Sequence, residues 1–487
     1  MASPIPSPNR PIADAGAELL ASIANLVRRV TDNAVRLSSD VVRDAASIGR
    51  DSERLARAAR AQWEVWQGAG RAAPRVARVI AEGAALIALY RFHLLRARLG
   101  GFDHVPDDVA RMLAQRARAA CVELRGGVLK LGQIASCRPD LVGPAWAHEL
   151  SELQDRVPPV DSAAIVARVE AALGAPIAER FARFDLAPVA AASLAQVHLA
   201  GLPDGREVAV KVQVPGIDEV IDADVAALRA LATVAGDLLP GADRFAAELG
   251  AALRTELDYA AEAAAAREVA AQIAPPLFVP AVIDSHSSGA VITSERVDGA
   301  RLGDHLAAAD PAERARVIGA MIADFARAVF THGVVHADPH PGNFLVCPDG
   351  RIAVLDFGCV LRLALEERRG YAQLLGQIFR GDPAGVAGAL AALGFAGDRD
   401  ALVALAGLIC AAMKPGVAAA EIDWSAQMKQ MIEEVGRLTR AGGVRVPPGF
   451  VLLGRVLATL AGYVVTYRPP LELFRLIAPQ VAAAAGA

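Results

Sequence analysis

The sequence predicts an α+β protein of two lobes, a small sheet-containing lobe followed by a larger helical one, with a helical extension in front. Three observations carry this. Strand-type segments cluster at residues 181–216 and 277–297, and helical periodicity fills most of the remainder. The densest polar clustering, in a loop-rich segment at 332–360, falls inside the helical part. Strands first and helices later, with polar motifs at the junction, suit a sheet packed on a helical body.

The bulk properties allow this and exclude other classes. Of 487 residues 54% are hydrophobic and 21% charged, enough to bury a core and too apolar for disorder. A formal net charge of -4 gives no reason to expect a nucleic-acid partner. The five cysteines, Cys121, Cys137, Cys347, Cys359 and Cys410, form no CxxC pair and are odd in number. That speaks against a disulfide framework or zinc site and for a reducing cytoplasm. The N-terminus lacks the charged start and apolar run of a secretory signal. Residues 76–95 are interrupted by Arg78, Glu82 and Arg91, and 401–413 is too short to span, so no membrane crossing is expected.

In chain order, residues 1–11 are Pro- and Ser-rich and read as disordered. From Ala13 to Ala73 the apolar Leu19, Leu20, Ile23, Val27 and Val30 recur at helical spacing. The polar side carries Arg28, Arg29, Arg36, Arg43, Arg50, Arg54, Arg57 and Arg60, diluted by Asp and Glu. This is a solvated helix face or, with Trp63, Trp66, Tyr90, Phe92 and Arg96, a surface for anionic lipid. Pro106 opens a helical stretch from Asp107 to Ser136. Residues 181–216 read as strand, loop, strand, turn, strand, with Pro203-Asp204-Gly205 closing a hairpin. A helical run follows to residue 274, then two strands around the polar turn Asp284–Gly289. Beyond Arg301 helices dominate. The expected divisions are 1–105, 106–300 and 301–487.

The chemistry begins at Val208-Ala209-Val210-Lys211, where a lysine ends an apolar strand after a tight hairpin and aims its amine toward a cleft. Downstream, His336-Ala337-Asp338-Pro339-His340-Pro341-Gly342-Asn343 sets an Asp and an Asn five apart in a Pro/Gly-held loop. Val354-Leu355-Asp356-Phe357-Gly358 then places an Asp at the end of an apolar strand. Hard oxygen ligands from two neighbouring loops suit Mg²⁺, which completes its shell with phosphate and water. Lysine on a strand, Asp-x-x-x-x-Asn, then Asp-Phe-Gly is the order of groups that phosphoryl transfer needs.

With these residues the chain resembles the UbiB/AarF/ADCK family of atypical kinases, from about residue 106 to 470. Further marks are the KxGQ motif Lys130-Leu131-Gly132-Gln133, Ser136-Cys137-Arg138-Pro139-Asp140, and Glu149 to Asp155. So are Ala190-Ala191-Ala192-Ser193 in place of a Gly-rich loop, and Glu256-Leu257-Asp258-Tyr259 with Glu262-Ala263. The resemblance implies a bilobal protein-kinase-like fold that binds ATP or ADP with Mg²⁺. It implies that Lys211 contacts the α/β-phosphates and pairs with Glu256. Asp356 and Asn343 would hold the metal, and Asp338 would take the place of the catalytic base. Ala190, Ala191, Ala192 and Ser193 would cover the phosphates, and the backbone at Glu295 and Val297 would form the hinge that meets adenine. Lys130 and Gln133 would lie on an extension over the site where a protein substrate otherwise docks.

Glu262 is left between a cleft role and an exposed helix charge. His336 and His340 read as loop-ordering groups, Cys359 as a packed small residue, and His198 as a surface or interlobe residue. Alanine in place of glycine predicts a stiffer, more helix-prone phosphate loop. Asp-Phe-Gly runs into helical sequence from Leu365 without an Ala-Pro-Glu element, so a peptide-docking segment is expected to be missing. These departures point to an ATPase or small-molecule or lipid kinase supporting isoprenoid-lipid (quinone) metabolism. A nucleotide-regulated binding module and a true protein kinase are the alternatives. Expected partners are nucleotide and an isoprenoid lipid or anionic membrane surface, met peripherally on the inner face, since the chain ends without the pair of C-terminal membrane helices that many relatives carry.

Overall fold

The computed structural model describes residues 72–102, 104–136, 142–153, 159–235, 242–412, 444–445 and 447–486. The expected disordered start, the arginine-rich face of 13–73 and the Cys137–Asp140 mark lie outside these residues. The chain divides into two compact units. One comprises the described parts of residues 1–124 with His148–Glu152 and Asp222–Glu248; the other comprises Arg125–Ala147, Leu153–Ile221 and Leu249–Ala487.

In the first unit, helices α1 (Ala72–Leu99) and α2 (Asp107–Leu124) follow the 3.6-residue pattern, α2 burying Leu113, Ala114, Ala117, Cys121 and Leu124. Arg75 of α1 grips the fully buried Asp224 with two hydrogen bonds of 2.8 and 2.7 Å. A third, of 2.8 Å, goes to the Leu124 carbonyl. A buried carboxylate needs such a partner. The helix expected over 107–136 is in fact two. Arg125 (φ 54°) and Gly126 (φ 55°) break it, and α3 (Gly126–Ser136) starts anew in the second unit. After it come α4 (Pro144–Ser151), α5 (Ser162–Leu173) and the short α6 (Ile177–Arg180).

The second unit holds the sheet and the helical body. The five-stranded antiparallel sheet runs β1 (Arg183–Phe184), β3 (Ala195–Gly201), β4 (Glu207–Gln213), β6 (Val291–Glu295), with β2 (Ala190–Ala191) paired to β3. The predicted hairpin between β3 and β4 is present. Gly205 takes φ 88° at its tip, a conformation glycine reaches without a Cβ penalty. Strand alternation sends Val208, Val210 and Val212 into a core with Ile165 and Val169 of α5, which leaves Lys211 on the opposite face. Lys211 stands inside β4, two residues short of its end, rather than at its terminus.

The helical run to residue 274 resolves into α7 (Ile217–Ala235), α8 (Ala242–Glu256) and α9 (Tyr259–Ala270), with the Asp258 side chain capping α9 through Ala261 N–H at 2.9 Å. Around the turn expected at 284–289 the chain doubles back, with Val282 bridged antiparallel to Ser294 and Ile283 N–H given to Thr293 O at 2.8 Å. β5 (Leu277–Phe278) pairs parallel to β10 (Ile352–Val354), in a second sheet ordered β5, β10, β9 (Phe344–Val346), β7 (Ala300–Arg301). The Asp284–His286 stretch is one 3₁₀ turn. β8 (Val334–His336) pairs with β11 (Val360–Arg362), and β12 (Ala396–Gly397) with β13 (Val444–Arg445).

The helices are α10 (Leu302–Ala308), α11 (Pro311–Arg327), α12 (Leu365–Arg380), α13 (Pro383–Ala392), α14 (Arg399–Ala412), α15 (Pro448–Tyr467) and α16 (Leu473–Gly486). α11 starts with Asp310 accepting from Glu313 N–H and Pro311 in its first turn, then buries Val317, Ile318, Met321 and Ile322. Among the described residues no helix is long and apolar enough to cross a membrane.

Candidate functional site

The site is assembled by strand pairing. In the β9–β10 hairpin Phe344 faces Val354, so the residues just beyond, Asn343 and Leu355, also meet, and Leu355 N–H donates to the Asn343 carbonyl at 2.8 Å. Asp356 is therefore held beside the Asp338–Asn343 loop. It takes φ 57°, a left-handed conformation that Asp tolerates better than most residues. Its own Oδ1 accepts from Gly358 N–H at 3.1 Å, and His336 Nε2 donates to its carbonyl at 2.8 Å. His336 also packs edge-on against Phe344 and Phe357. It is a loop-ordering group, as expected. So is His340, whose Nδ1 accepts from Gly342 N–H at 3.2 Å.

Lys211 Nζ reaches both carboxylates of the cleft. It donates to Glu262 at 2.8 and 3.0 Å and to Asp356 Oδ2 at 3.3 Å, over the Tyr259 ring. The expected Lys211–Glu256 pair is not formed. α8 ends at Glu256 and α9 begins at Tyr259, and it is α9 that presents a carboxylate, Glu262, to β4. Glu256 instead binds Lys130 of the KxGQ motif at 3.1 Å. Its Oε2 lies 3.9 Å from where a Cβ on Gly358 would sit. Gln133 stands further along α3 and donates to the Leu153 carbonyl at 3.3 Å.

The electrostatics follow from one lysine serving two acids. Burial alone would lower the pKa of Lys211, but Asp356 and Glu262 outweigh it and hold the ammonium well above its ordinary range. Lys211 lowers the half-exposed Asp356 to about 2. Glu262, only 6% exposed, stays above the usual carboxylate range because burial outweighs the lysine. Cys359, next to Gly358, is pushed up to about 11 by burial, which suits a packed residue and not a nucleophile.

Asp338 has both oxygens engaged. Asn343 Nδ2 donates to its Oδ2 and to its carbonyl, each at 3.0 Å, and Arg455 of α15 donates to its Oδ1 at 2.8 Å. Because both partners of the Asn343 amide nitrogen are acceptors, its side-chain oxygen is the end left for a cation. Among the described residues no group of three or more His, Cys, Asp or Glu is placed to hold a metal alone. Asp356 and Asn343 fit an ion that brings phosphate and water as its other ligands, as Mg²⁺ does.

The alanine loop departs from expectation. Ala190 and Ala191 form an extended strand on Val197 and Gln196, not a helix-prone turn, and Ala192 N–H donates to Ala195 O at 2.8 Å. The pairing with β3 overrides alanine's helix propensity. Ser193 is buried at the tip. Glu295 ends β6 with its N–H given to Ala281 O at 2.9 Å, and Val297 follows in the connection to β7. A Cβ at Gly299 would lie 2.9 Å from Val346 O, so this connection runs close against β9. The stretch between Gly358 and Leu365 is occupied by β11, which pairs with β8 and leaves little chain for a peptide-docking segment. His198 is not a surface residue. It is fully buried, donates from Nδ1 to the Asp185 carbonyl at 2.9 Å, and stacks on Phe184; burial lowers its pKa.

Sequence reasoning missed Glu262 as the lysine's partner and missed Arg455 altogether. The break at Leu257-Asp258 was the one local signal for the first. For the second, the signal was a single charged residue in the otherwise apolar 448–467 stretch.

Residues 152–390 match the ABC1 atypical kinase-like domain. The "Probable protein kinase UbiB" of Xanthomonas campestris pv. campestris (strain B100) is 39% identical over 302 residues, covering 57% of this chain and 54% of that protein. The protein of the same name from Xanthomonas euvesicatoria pv. vesicatoria (strain 85-10) matches to the same extent. The chain thus spans about half the length of these curated relatives. Among solved structures, Rv3197 of Mycobacterium tuberculosis, determined as a complex with erythromycin, is similar with a TM-score of 0.52 and 25% identity, over 77% of this chain and 99% of that one. The kinase-like domain match and the UbiB relatives agree: residues 152–390 carry an ABC1 atypical kinase-like domain, and the chain is similar to the UbiB/AarF/ADCK family of atypical kinases.

Proposed function

We propose that the chain is a Mg²⁺-dependent, ATP-binding atypical kinase or ATPase of the UbiB type. We further propose that it supports isoprenoid-lipid metabolism, such as quinone biosynthesis, from a membrane surface. The single observation that carries the nucleotide reading is the Lys211 bridge to Glu262 and Asp356, set beside an Asn343 whose side-chain oxygen is left for a cation. In this reading Lys211 contacts the α/β-phosphates, Ser193 and the β2–β3 turn cover them, and the backbone at Glu295 and Val297 meets adenine. Asp356 and Asn343 would hold the ion, whose bound charge would offset that of the phosphates. Asp338 orients Asn343 and the incoming nucleophile. The lipid part rests on the similarity to the UbiB relatives. The exposed apolar Phe92, Leu99, Phe102, Met112 and Val122 of the first unit would supply a peripheral membrane contact.

A second reading is a nucleotide-regulated binding module without turnover. It is favoured by the contacts of Asp338, whose two oxygens each already accept a hydrogen bond, from Asn343 and from Arg455, and so are less basic than a free carboxylate. Phosphate release from Mg²⁺-ATP in the absence of any protein acceptor separates the two. Sustained release, lost in Asp356→Asn, supports the enzyme. Nucleotide binding with no release supports the module, and γ-phosphate transfer to an added protein would support an ordinary protein kinase instead.

A further inference from the structure

The loop His336-Ala337-Asp338-Pro339-His340-Pro341-Gly342-Asn343 contains no lysine or arginine. Its cation comes from Arg455, 117 residues away on α15. Arg455 is the only charged residue of that helix, whose other side chains are apolar or carry a single hydroxyl. A guanidinium on such a helix is costly unless partnered, and the partner chosen is the loop. One nitrogen, Nη2, donates both to Asp338 Oδ1 at 2.8 Å and to the Ala337 carbonyl at 3.0 Å. Two turns further along the same helix, the buried Tyr463 hydroxyl donates to the Pro339 carbonyl at 2.7 Å. The helix thus binds Asp338 itself and the residues on both sides of it.

We propose that Arg455 is a positioning residue for the phosphoryl-transfer site. It fixes the Asp338 carboxylate so that Asp338 Oδ2 turns the Asn343 amide nitrogen inward and presents the Asn343 oxygen to the metal. The path is continuous: Arg455 to Asp338 Oδ1, Asp338 Oδ2 to Asn343 Nδ2, and Asn343 O to Leu355 N–H, the residue before Asp356. Charge-assisted bonds of this kind are shorter and more directional than neutral ones, and a metal ligand set a fraction of an ångström off position binds its ion poorly. The same bond removes Asp338 from service as an unencumbered base. This role rests on the nucleotide reading above, but the clamp itself does not.

The test uses Arg455→Ala and Arg455→Lys in the full chain, with hydrogen exchange over residues 336–346 in nucleotide-free protein. Arg455→Ala is expected to exchange at least about 10-fold faster there, with Arg455→Lys between it and wild type. Should Arg455→Ala fail to fold, the lysine variant alone decides, since it keeps the charge and loses the planar guanidinium that places Nη2 between Asp338 Oδ1 and the Ala337 carbonyl. Unchanged exchange overturns the clamp whatever the protein does with nucleotide. In turnover, kcat of Arg455→Ala should fall about 10- to 100-fold with KM for ATP within about 3-fold, and added guanidinium should restore part of it. An unchanged kcat, or a loss confined to KM, overturns the positioning role. If wild type binds Mg²⁺-ADP without turnover, the reading becomes the Mg²⁺ needed for ADP binding, expected about 10-fold higher in Arg455→Ala. An equal requirement overturns the role. If wild type binds no nucleotide, the proposed function falls while the exchange result still decides the clamp.

Discussion

Two lysine–glutamate pairs flank Asp356, and they are built differently. Lys211–Glu262 joins a sheet strand to α9 at 2.8 Å, with side-chain exposures of 23% and 6%. Lys130–Glu256 joins α3 to the end of α8 at 3.1 Å, with 21% and 30%. The first is deep enough that each member depends on the other, and Asp356 depends on its lysine. In the second the glutamate is the more open partner, so water reaches the pair and screens it more. The contrast separates the pair on which the charges of the cleft depend from one that only adjoins it. Lys211 is coupled through Coulomb interactions to Asp356, Glu262 and Tyr259, whereas Lys130 adds only a secondary pull on Asp356.

Removing the inner lysine should do the most damage. Lys211→Met leaves Glu262 buried without its counter-charge and should cost about 2–3 kcal/mol of stability by denaturant titration. It should also weaken Mg²⁺-ADP binding by about 100-fold or more, measured by calorimetry. A near-neutral result in both would make the inner pair as dispensable as the outer one.

Glu262→Gln is the milder break. The amide keeps an oxygen for the lysine, so stability should fall by about 1 kcal/mol and turnover by about 10-fold. If Glu256→Gln proves the more harmful of the two, the assignment of the lysine's partner to α9 is wrong.

The acid limb of stability probes Asp356. Its pKa is depressed from 3.8 to about 2, chiefly by Lys211, so it contributes stability that is fully present above the ordinary value and lost as pH falls toward 2. The side chain is 47% exposed, so the contribution is roughly 1 kcal/mol after solvent screening. Urea midpoints of wild type and Asp356→Asn should differ near neutral pH and converge on acidification. Divergence instead would mean that Lys211 does not hold Asp356 in the folded state.

The outer pair should matter least to the fold and act in the opposite direction on the metal. Lys130→Met should change stability by less than about 1 kcal/mol. By removing a cation that competes with Mg²⁺ for Asp356, it should lower the Mg²⁺ needed for nucleotide binding by a few-fold. A higher requirement would make Lys130 part of the binding machinery.

The residues legible in the sequence were those whose neighbours in the chain are also their neighbours in space. Asp338 and Asn343 share one loop, and Asp356 follows a strand whose hairpin partner begins at Phe344. Lys211 was legible from the apolar alternation of Val208, Val210 and Val212 around it. The glutamate was not, because residues 217–274 read as one helical run and only the Leu257-Asp258 break decides which acid faces the sheet. The parallel pairing of β5 was not legible, because its partner, β10, lies far along the chain and is invisible to local pattern. The alanine loop was misjudged because propensity was weighed without the β3 ladder that overrides it. Arg455 carries no local signal of what it binds, since its partner is set by the packing of α15 against the Asp338–Asn343 loop.

The most direct test of the account is the shift in melting temperature of the full chain with ADP or ATP, with and without Mg²⁺, in wild type and Asp356→Asn. A ligand at about 100 times its dissociation constant stabilises the folded form by roughly 2.7 kcal/mol, which is readily seen. The account predicts a Mg²⁺-dependent rise in wild type that is absent in Asp356→Asn. No shift with either nucleotide, or an equal shift in the variant, would contradict the placement of the nucleotide and its metal at the Lys211–Asp356 cluster.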